Sequence, residues 1–275
     1  MAQKWTLESI DWDQFDATKL SPTLLAVVKA AALVEANSAD YVTYLCNVFS
    51  HDEAFKDAAR QWGVEEAQHG AALGRWAEIA DPSFSFEESL ALFRKGYSLP
   101  LGAEQSVRGS HAGELIARCV VESGTSSFYS AIRDASEEPV LKEVCRRIAI
   151  DEFFHYQLFQ KHLQRYKSGD KLSLWERLKV AIGRVQEAED DELSYAWFAA
   201  NVLPKNPDAV YNTGDNAKAY WRGAMSLYQR PHIENAARMI LRAADFNPNG
   251  RFANLAAGAS WHFVRWRRDR LAKAA

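Results

Sequence analysis

Long stretches of this chain contain neither proline nor glycine, and their apolar residues recur at spacings of three and four. Residues 23–62 and 140–168 are the two longest stretches of this kind. Such spacing places apolar side chains on one face of an α-helix, whereas a strand would need alternation in steps of two, and no run of that type competes. The sequence therefore predicts an all-α protein.

The breaks between these stretches predict four long helices, at residues 21–50, 52–80, 111–135 and 138–167. Ser21-Pro22 is a typical helix start, and Asp81-Pro82 ends the second helix. A long connection with a short helix at residues 86–95 separates the second and third helices. Such a connection lets these two lie parallel in a four-helix bundle with one long crossover.

The predicted organisation has three parts: an N-terminal arm at residues 1–20, a four-helix bundle at 21–168 and a C-terminal helical extension at 169–275. In the extension we expect one long helix at residues 172–203. A break at Pro204 and Pro207 precedes three shorter helices. We expect the extension to pack on the bundle.

Charge and cysteine content restrict the function classes. The 275 residues carry 36 acidic and 33 basic side chains, and the net charge of −3 provides no overall attraction to nucleic acid. The longest apolar runs are shorter than the roughly 20 residues that a membrane-spanning helix needs, so we predict no membrane span. Cys46, Cys119 and Cys145 are too far apart for a metal-binding or disulfide pattern, and a cytoplasmic location is expected.

The four predicted bundle helices carry acidic and histidine residues in the middle of apolar stripes. Two helices carry a Glu-x-x-His pair, and each of the other two carries one glutamate at a matching position. The six residues are Glu35, Glu66, His69, Glu122, Glu152 and His155. Glu122 follows Glu35 by 87 positions, and Glu152 and His155 follow Glu66 and His69 by 86 positions. This nearly constant offset indicates an internal duplication. We therefore expect the six side chains to meet at mid-height of one bundle.

Four carboxylates in an apolar core need compensating charge, because burial and mutual repulsion both oppose their ionisation. Two divalent cations would neutralise them, and a mixed oxygen and nitrogen ligand set suits iron or manganese. The alternative is a set of buried salt bridges, which would need cationic partners. The apolar stripes contain no Lys or Arg near the six residues, so the sequence favours a two-metal site.

Glu65 and Asp151 each precede a predicted ligand by one position. Consecutive helix residues point about 100° apart, so these two carboxylates face away from the metals. We expect each to accept a hydrogen bond from the second ring nitrogen of a ligating histidine on a neighbouring helix. Such a contact orients the ring and raises its basicity. The alternative is an acid that simply faces solvent.

The residues of the predicted site resemble those of a known family. The segment Trp62-Gly-Val-Glu-Glu-Ala-Gln-His-Gly70 is similar to the first di-iron motif of the soluble acyl-carrier-protein desaturases, and residues 141–155 are similar to the second. The resemblance covers roughly residues 30–165. It implies a ferritin-like four-helix bundle that holds two iron ions, with manganese as an alternative. The family has Arg before each ligating His, where this chain has Gln68 and Phe154.

The resemblance also implies a role for Thr125, because Glu122-Ser-Gly-Thr125 matches the Glu-x-x-Thr of the family. There the threonine hydroxyl assists dioxygen activation and proton delivery, so Thr125 is a candidate catalytic residue. The alternative is a threonine that hydrogen-bonds to its own helix. The implied activity is O₂-dependent desaturation or hydroxylation of an organic substrate, such as an acyl chain. A separate electron donor, such as a ferredoxin, would be required.

Two other functions remain open at this point. A ferritin-like or rubrerythrin-like protein that oxidises iron or scavenges peroxide would have the same metal site without an organic substrate. A di-iron hydroxylase of a modified tRNA base is the second alternative. The C-terminal tail is locally basic and would suit tRNA or an acidic carrier protein, although a solvated helix end is the commoner role. Its basic residues are Arg265, Arg267, Arg268, Arg270 and Lys273. A homodimer is also open.

Overall fold

Every regular element in the part of the chain that the structure describes is helical. The computed structural model describes residues 5–187 and 191–273, and the all-α prediction is confirmed for them. The helices are α1 (Pro22–Ala36), α2 (Ser38–Val48), α3 (Glu53–Ala80), α4 (Phe86–Gly96), α5 (His111–Ala135), α6 (Pro139–Tyr166), α7 (Leu174–Glu187), α8 (Asp191–Trp197), α9 (Thr213–Leu227), α10 (Arg230–Ala243) and α11 (Arg251–Lys273). Short 3₁₀ turns precede α1, and a π-helix, Phe198–Val202, follows α8.

Local sequence sets the starts of the long helices. The Ser21 side chain accepts a hydrogen bond from the first turn of α1, and Pro22 occupies its first position. The Ser110 side chain caps α5 in the same way. The Glu138 carboxylate accepts hydrogen bonds from the backbone N–H groups of Val140 and Leu141 in the first turn of α6, and Pro139 occupies the first position. These residues satisfy N–H groups that have no partner within the helix.

Helices α1 and α2 run antiparallel to α3. From the middle of α1, Lys29 Nζ lies 2.6 Å from a carboxylate oxygen of Asp81 at the end of α3. Further along, Ser38 Oγ donates to the Gly63 carbonyl oxygen at 2.9 Å. The order of these contacts along the two chain segments is reversed, which fixes the direction.

Helix α6 runs antiparallel to both α3 and α5. Trp76 Nε1 donates to Glu138 at 2.8 Å at one end of the α3–α6 pair, while Glu65 meets His155 further along. Helix α5 packs along α6 in the opposite direction: Cys119, earlier in α5, lies against the Tyr156 carbonyl oxygen, whereas Ser126, later in α5, donates to the Ala149 carbonyl oxygen, earlier in α6. Helices α3 and α5 are therefore parallel, as the long connection between them permits.

One long helix was predicted at residues 21–50, and the structure divides it at Asn37. The Asn37 backbone is not helical, with φ −88° and ψ 12°, and its side-chain amide donates to Asp40 at 3.2 Å. Arg94 from α4 donates to the carbonyl oxygen of Ala36 at 2.9 Å. A short polar side chain and an external donor thus replace the helical hydrogen bonds at this point.

The C-terminal helices pack mainly on α1 and α5. Helix α8 contacts α1, α7 and α10 contact α5, and α11 packs on α9 and α10. The predicted long helix at residues 172–203 corresponds to α7, α8 and the π-helix, but residues 188–190 within it lie outside the described residues. Three shorter helices, α9 to α11, follow the break at Pro204, in agreement with the sequence.

Two apolar clusters occupy the core, one on each side of a polar layer. One contains Leu73 and Ile148, and the other contains Phe55 and Phe159. The glutamates and histidines of the predicted site lie between these positions along α3 and α6. Within residues 5–187 and 191–273, no helix combines the length and apolar character that crossing a bilayer would require.

Candidate metal centre

The structure brings the six predicted ligand residues together in the polar layer. Glu35 lies on α1, two residues before the break at Asn37. The Glu-x-x-His pairs lie on α3 and α6, and Glu122 lies on α5. All six side chains are buried, and the most exposed of them, Glu35, is 8% accessible. The periodicity of four separate helices therefore converges on one site.

The six side chains form two overlapping groups. Glu35, Glu66, His69 and Glu152 make one group, and Glu66, Glu122, Glu152 and His155 make the other. In each group one oxygen or nitrogen atom per residue lies within 4.8 Å of all the others. Glu66 and Glu152 belong to both groups, which is the arrangement of two carboxylates shared between neighbouring metal ions.

Both imidazoles direct Nδ1 toward the carboxylates. His69 Nδ1 lies 3.2 Å from Glu66 Oε2 and 3.2 Å from Glu152 Oε1. His155 Nδ1 lies 3.0 Å from Glu66 Oε1 and 3.7 Å from Glu122 Oε2. The two ring centres are 5.7 Å apart. One nitrogen of each ring is therefore available on the inside of the cluster.

The second nitrogen of each ring faces one of the acids that precede the Glu-x-x-His pairs. His69 Nε2 lies 3.2 Å from Asp151 Oδ2, and His155 Nε2 lies 2.9 Å from Glu65 Oε2. Each helix of the α3–α6 pair thus supplies the carboxylate that orients the histidine of the other. This is the placement that the sequence predicted for Glu65 and Asp151.

The carboxyl groups of the cluster affect one another strongly. Burial, together with the neighbouring carboxylates of Glu66 and Glu152, raises the pKa of Glu35 well above its usual value. Burial and the same two neighbours raise the pKa of Glu122. Burial opposes the ionisation of Glu66 as well, but the nearby His155 lowers the pKa of Glu66 well below its usual value. Ionised and protonated carboxyl groups therefore coexist when only protons compensate the charge.

The histidines hold protons for a related reason. Burial acts to lower the pKa of His69, but hydrogen bonds, led by that to Asp151, raise it well above its usual value. Burial also opposes the charged form of His155, but the negative charge of Glu66 and the hydrogen bond to Glu65 outweigh it and raise the pKa of His155 well above its usual value. Metal ligands must be deprotonated, so cations that enter this cluster would displace these protons.

Several buried atoms of the cluster fit a metal site. Glu122 Oε1, Glu152 Oε1 and His155 Nδ1 are buried and form no well-aligned hydrogen bond with any described residue, although Glu152 Oε1 lies 3.2 Å from His69 Nδ1 and His155 Nδ1 lies 3.0 Å from Glu66 Oε1. A buried polar atom without a well-aligned hydrogen bond is costly, so each of these atoms is available as a ligand. The four carboxylates would neutralise two divalent cations. Together with the two imidazoles they form a mixed oxygen and nitrogen ligand set, which iron and manganese prefer. The residues present therefore fit a two-metal centre.

Thr125 lies beside this cluster. Its hydroxyl is within hydrogen-bond range of Glu152 Oε2. The same oxygen lies 3.3 Å from the carbonyl oxygens of Val121 and Glu122 in its own helix. Both alternatives that the sequence left open, a contact with the site and a contact with the helix backbone, therefore have a partner in the structure.

Two further residues contact the site and were not predicted from the sequence. The Tyr129 hydroxyl donates to Glu35, although its position on the apolar stripe of α5 indicated only a core residue. The Trp5 indole N–H donates to Asp151 Oδ2 at 2.6 Å. The spacing from Glu122 to Tyr129, two helical turns, is a signal that a sequence analysis could use. No local pattern in the N-terminal arm points to Trp5.

An apolar cavity of about 260 Å³ adjoins the cluster. Its inner end is formed by Glu35, Thr125 and Tyr129. The rest of its apolar lining includes Phe128 of α5 and five residues of the C-terminal segment, Val185, Leu193, Tyr220, Trp221 and Tyr228. A cavity of this character beside a candidate metal centre is suited to an apolar ligand.

No protein-family model matches the sequence of this chain, and no curated protein sequence is significantly similar to it.

Proposed function

We propose that this chain is a di-iron oxidoreductase built on a ferritin-like four-helix bundle formed by α1 with α2, α3, α5 and α6. The observation that carries the proposal is the pair of four-residue groups that share Glu66 and Glu152. One ion would take Glu35 and His69 as its own ligands. The other would take Glu122 and His155. Manganese is the alternative metal, because the same ligand set suits it.

The chemistry of the proposed centre divides between metal and protein. Two bound iron ions would supply the redox chemistry that activates dioxygen. The protein would hold the ligands in place: with metal bound, Asp151 and Glu65 would accept from the outer ring nitrogens, which leaves Nδ1 of each imidazole unprotonated and directed inward. The Tyr129 hydroxyl donates a hydrogen bond to Glu35 and so helps to fix the position of that carboxylate.

An organic substrate is favoured over iron handling by the apolar cavity that reaches the cluster. Oxidation of an unactivated C–H bond requires a site from which water is excluded and in which the substrate is held next to the metals. Thr125 lines the cavity and also contacts Glu152. Its hydroxyl is therefore placed to hold or transfer a proton at Glu152. Desaturation and hydroxylation are the reactions we propose.

The proposed reaction needs electrons from a separate protein. The three cysteines of the chain do not form an electron-transfer module, and Cys119 and Cys145 are buried and unpaired. We propose an external donor such as a ferredoxin, and a cytoplasmic setting in which such donors are reduced.

Anaerobic loading with Fe(II), followed by O₂, tests this function. Oxygen uptake should depend on a reductant and on an organic substrate, and it should yield an oxidised product. A ferritin-like role predicts a different result, in which ferric mineral accumulates whatever organic molecule is present. That result would refute the oxidoreductase proposal and leave the metal centre standing.

A further inference from the structure

Arg118 is a buried cation whose Nε has no hydrogen-bond partner among the described residues. The residue is only 6% exposed. The nearest acid, Glu114, is 3.8 Å from Nε and already accepts hydrogen bonds from Tyr44 and Ser106, both at 2.8 Å. The guanidinium carbon lies 4.9 Å from the ring centre of Tyr41. Burial of a charge without hydrogen bonds is costly unless another group binds it.

A second buried donor faces the same space. The indole nitrogen of Trp62 is buried and has no hydrogen-bond partner among the described residues. Trp62 and Arg118 both line a compartment of about 70 Å³ next to Glu66 and Glu122. A water molecule occupies roughly 30 Å³ of liquid, so the compartment has room for about two groups of that size. A carboxylate is a group of this size.

The compartment is continuous with the apolar cavity. The two spaces share the lining residues Val34, Glu35, Val121, Thr125, Arg184 and Glu192. A molecule with an anionic group in the compartment and an apolar part in the cavity would therefore pass directly beside the proposed metal centre.

We propose that this protein binds a small free carboxylic acid, with the carboxylate on Arg118 and Trp62 and the apolar part in the cavity. The inference rests on the proposed function, because two divalent cations would neutralise the four glutamates of the centre. Among the described residues, the one acid that then remains in an ion pair with Arg118 is Glu114, and at 3.8 Å from Nε it is too distant to accept a hydrogen bond from it. A guanidinium group offers paired donors that match a carboxylate.

The size of the cavity limits the substrate. At roughly 30 Å³ for each small group, 260 Å³ holds about nine methylene groups. An acid of medium length fits this space. A thioester-bound acyl chain has no negative charge at its carbonyl end, so Arg118 would have no partner in it. The carbons next to the carboxylate would lie beside Glu35 and Thr125, where we expect oxidation to occur.

Binding of octanoate tests the inference without turnover. The protein is loaded with Zn²⁺, which has no redox chemistry, its metal content is measured, and octanoate and methyl octanoate are titrated calorimetrically. Octanoate should bind, and its methyl ester should bind about tenfold more weakly or worse, because it lacks the charge that a guanidinium recognises. Failure of zinc loading would count against the proposed metal centre. The octanoate titration tests the carboxylate site separately.

Arg118→Met separates a ligand-binding role from a structural one. This variant should lose about tenfold or more in octanoate affinity. Its Tm should change little, because Arg118 makes no close ion pair and Glu114 keeps its hydrogen bonds from Tyr44 and Ser106. Arg133→Met is the matched control on the same helix: Arg133 pairs with Asp134 away from the cavity, so octanoate affinity should not change. Trp62→Phe should weaken binding to a smaller extent.

Three results would overturn the inference. One is equal affinity for octanoate and methyl octanoate, or no binding of either. Another is octanoate binding that survives Arg118→Met, which would indicate that the carboxylate is held by the metals alone. The third is a lowered Tm with unchanged affinity in that variant, which would make Arg118 a structural cation.

Discussion

Gly70 lies directly against the backbone of Ala36. A methyl group on Gly70 would come within 2.6 Å of the Ala36 nitrogen, so α3 and the end of α1 can approach this closely only without a side chain at position 70. The contact is adjacent in sequence to both His69 and Glu35. The glycine that follows histidine in the first motif therefore brings two predicted ligands together.

Gly70→Ala should push α1 away from α3 and destabilise the protein by about 1–3 kcal/mol, the usual range for overpacking. It should also weaken metal binding. Denaturant unfolding and metal competition would measure the two effects. Gly258→Ala is the control, because its new methyl group would meet open space in α11; it should be neutral or stabilising by up to about 1 kcal/mol. Equal behaviour of the two variants would contradict the packing argument.

Metal stoichiometry should distinguish the shared glutamates from the others. Glu66→Ala and Glu152→Ala each remove a residue common to both groups, so metal content should fall from two ions per chain toward none. Glu35→Ala affects one group only and should leave about one ion. Elemental analysis after dialysis measures this, with the exposed Glu137→Ala as control. Two ions retained in the Glu66 and Glu152 variants would show that the assigned ligands are wrong.

Without metal, the protein should lose stability as the pH rises. The folded state raises the pKa of His69 and His155 and of Glu35 and Glu122, so it holds more protons than the unfolded chain. The histidine contribution is complete below the unfolded pKa of about 6.5, and it is lost as the pH rises through the folded pKa. The Tm of chelated protein should therefore fall above about pH 6.5.

Metal-loaded protein should show a much weaker dependence over the same range, because the ions replace these protons. Loading in weak buffer should release protons, and metal affinity should rise with pH. A Tm of the chelated protein that does not change above neutral pH would contradict the proton-holding cluster.

Asp151→Asn should weaken metal binding by about 10- to 100-fold, the usual effect of losing an acid that orients a ligating imidazole. Competition with a coloured chelator would measure it. Trp5→Phe keeps the carboxylate and removes only the 2.6 Å hydrogen bond to it, so its effect should be smaller and of the same sign. An effect of Trp5→Phe larger than that of Asp151→Asn would mean that Trp5 acts by some route other than this carboxylate.

Thr125→Val should retain both metals and form product about 100-fold more slowly, if the hydroxyl handles a proton at Glu152. Thr125→Ser keeps the hydroxyl and should restore most of the activity. Product per O₂ consumed and metal content are measured together. If both variants match the unsubstituted protein, the hydroxyl serves only its own helix, as its contacts with Val121 and Glu122 allow.

The parts of the fold that could be predicted from sequence are those set by local chemistry. Helix starts depend on a few neighbouring residues, such as Ser21 with Pro22 and Glu138 with Pro139. The convergence of Glu66 and the other five residues follows from helical periodicity, which repeats along each helix. Whether these residues bind metal is still a prediction.

The features that the sequence did not reveal depend on contacts between distant segments. At the break at Asn37, Arg94 from another helix donates hydrogen bonds to the Asn37 side chain and to the Ala36 carbonyl oxygen. Trp5 reaches Asp151 across the fold. Arg118 lies one turn before Glu122 and is buried beside the cluster, whereas the apolar stripes had indicated no cation near it. None of these pairings has a signature within a window of one helix.

Because α3 and α6 each supply the carboxylate that contacts the histidine of the other, the alignment of the two helices and the orientation of the two imidazoles depend on each other. His69 depends on Asp151 of the opposite helix, and His155 depends on Glu65. A slide of one helix past the other by a single residue would detach both rings together. The alignment of this helix pair is therefore fixed by the chemistry at its centre as well as by side-chain packing, and a mutation that shifts either helix will be felt at both imidazoles.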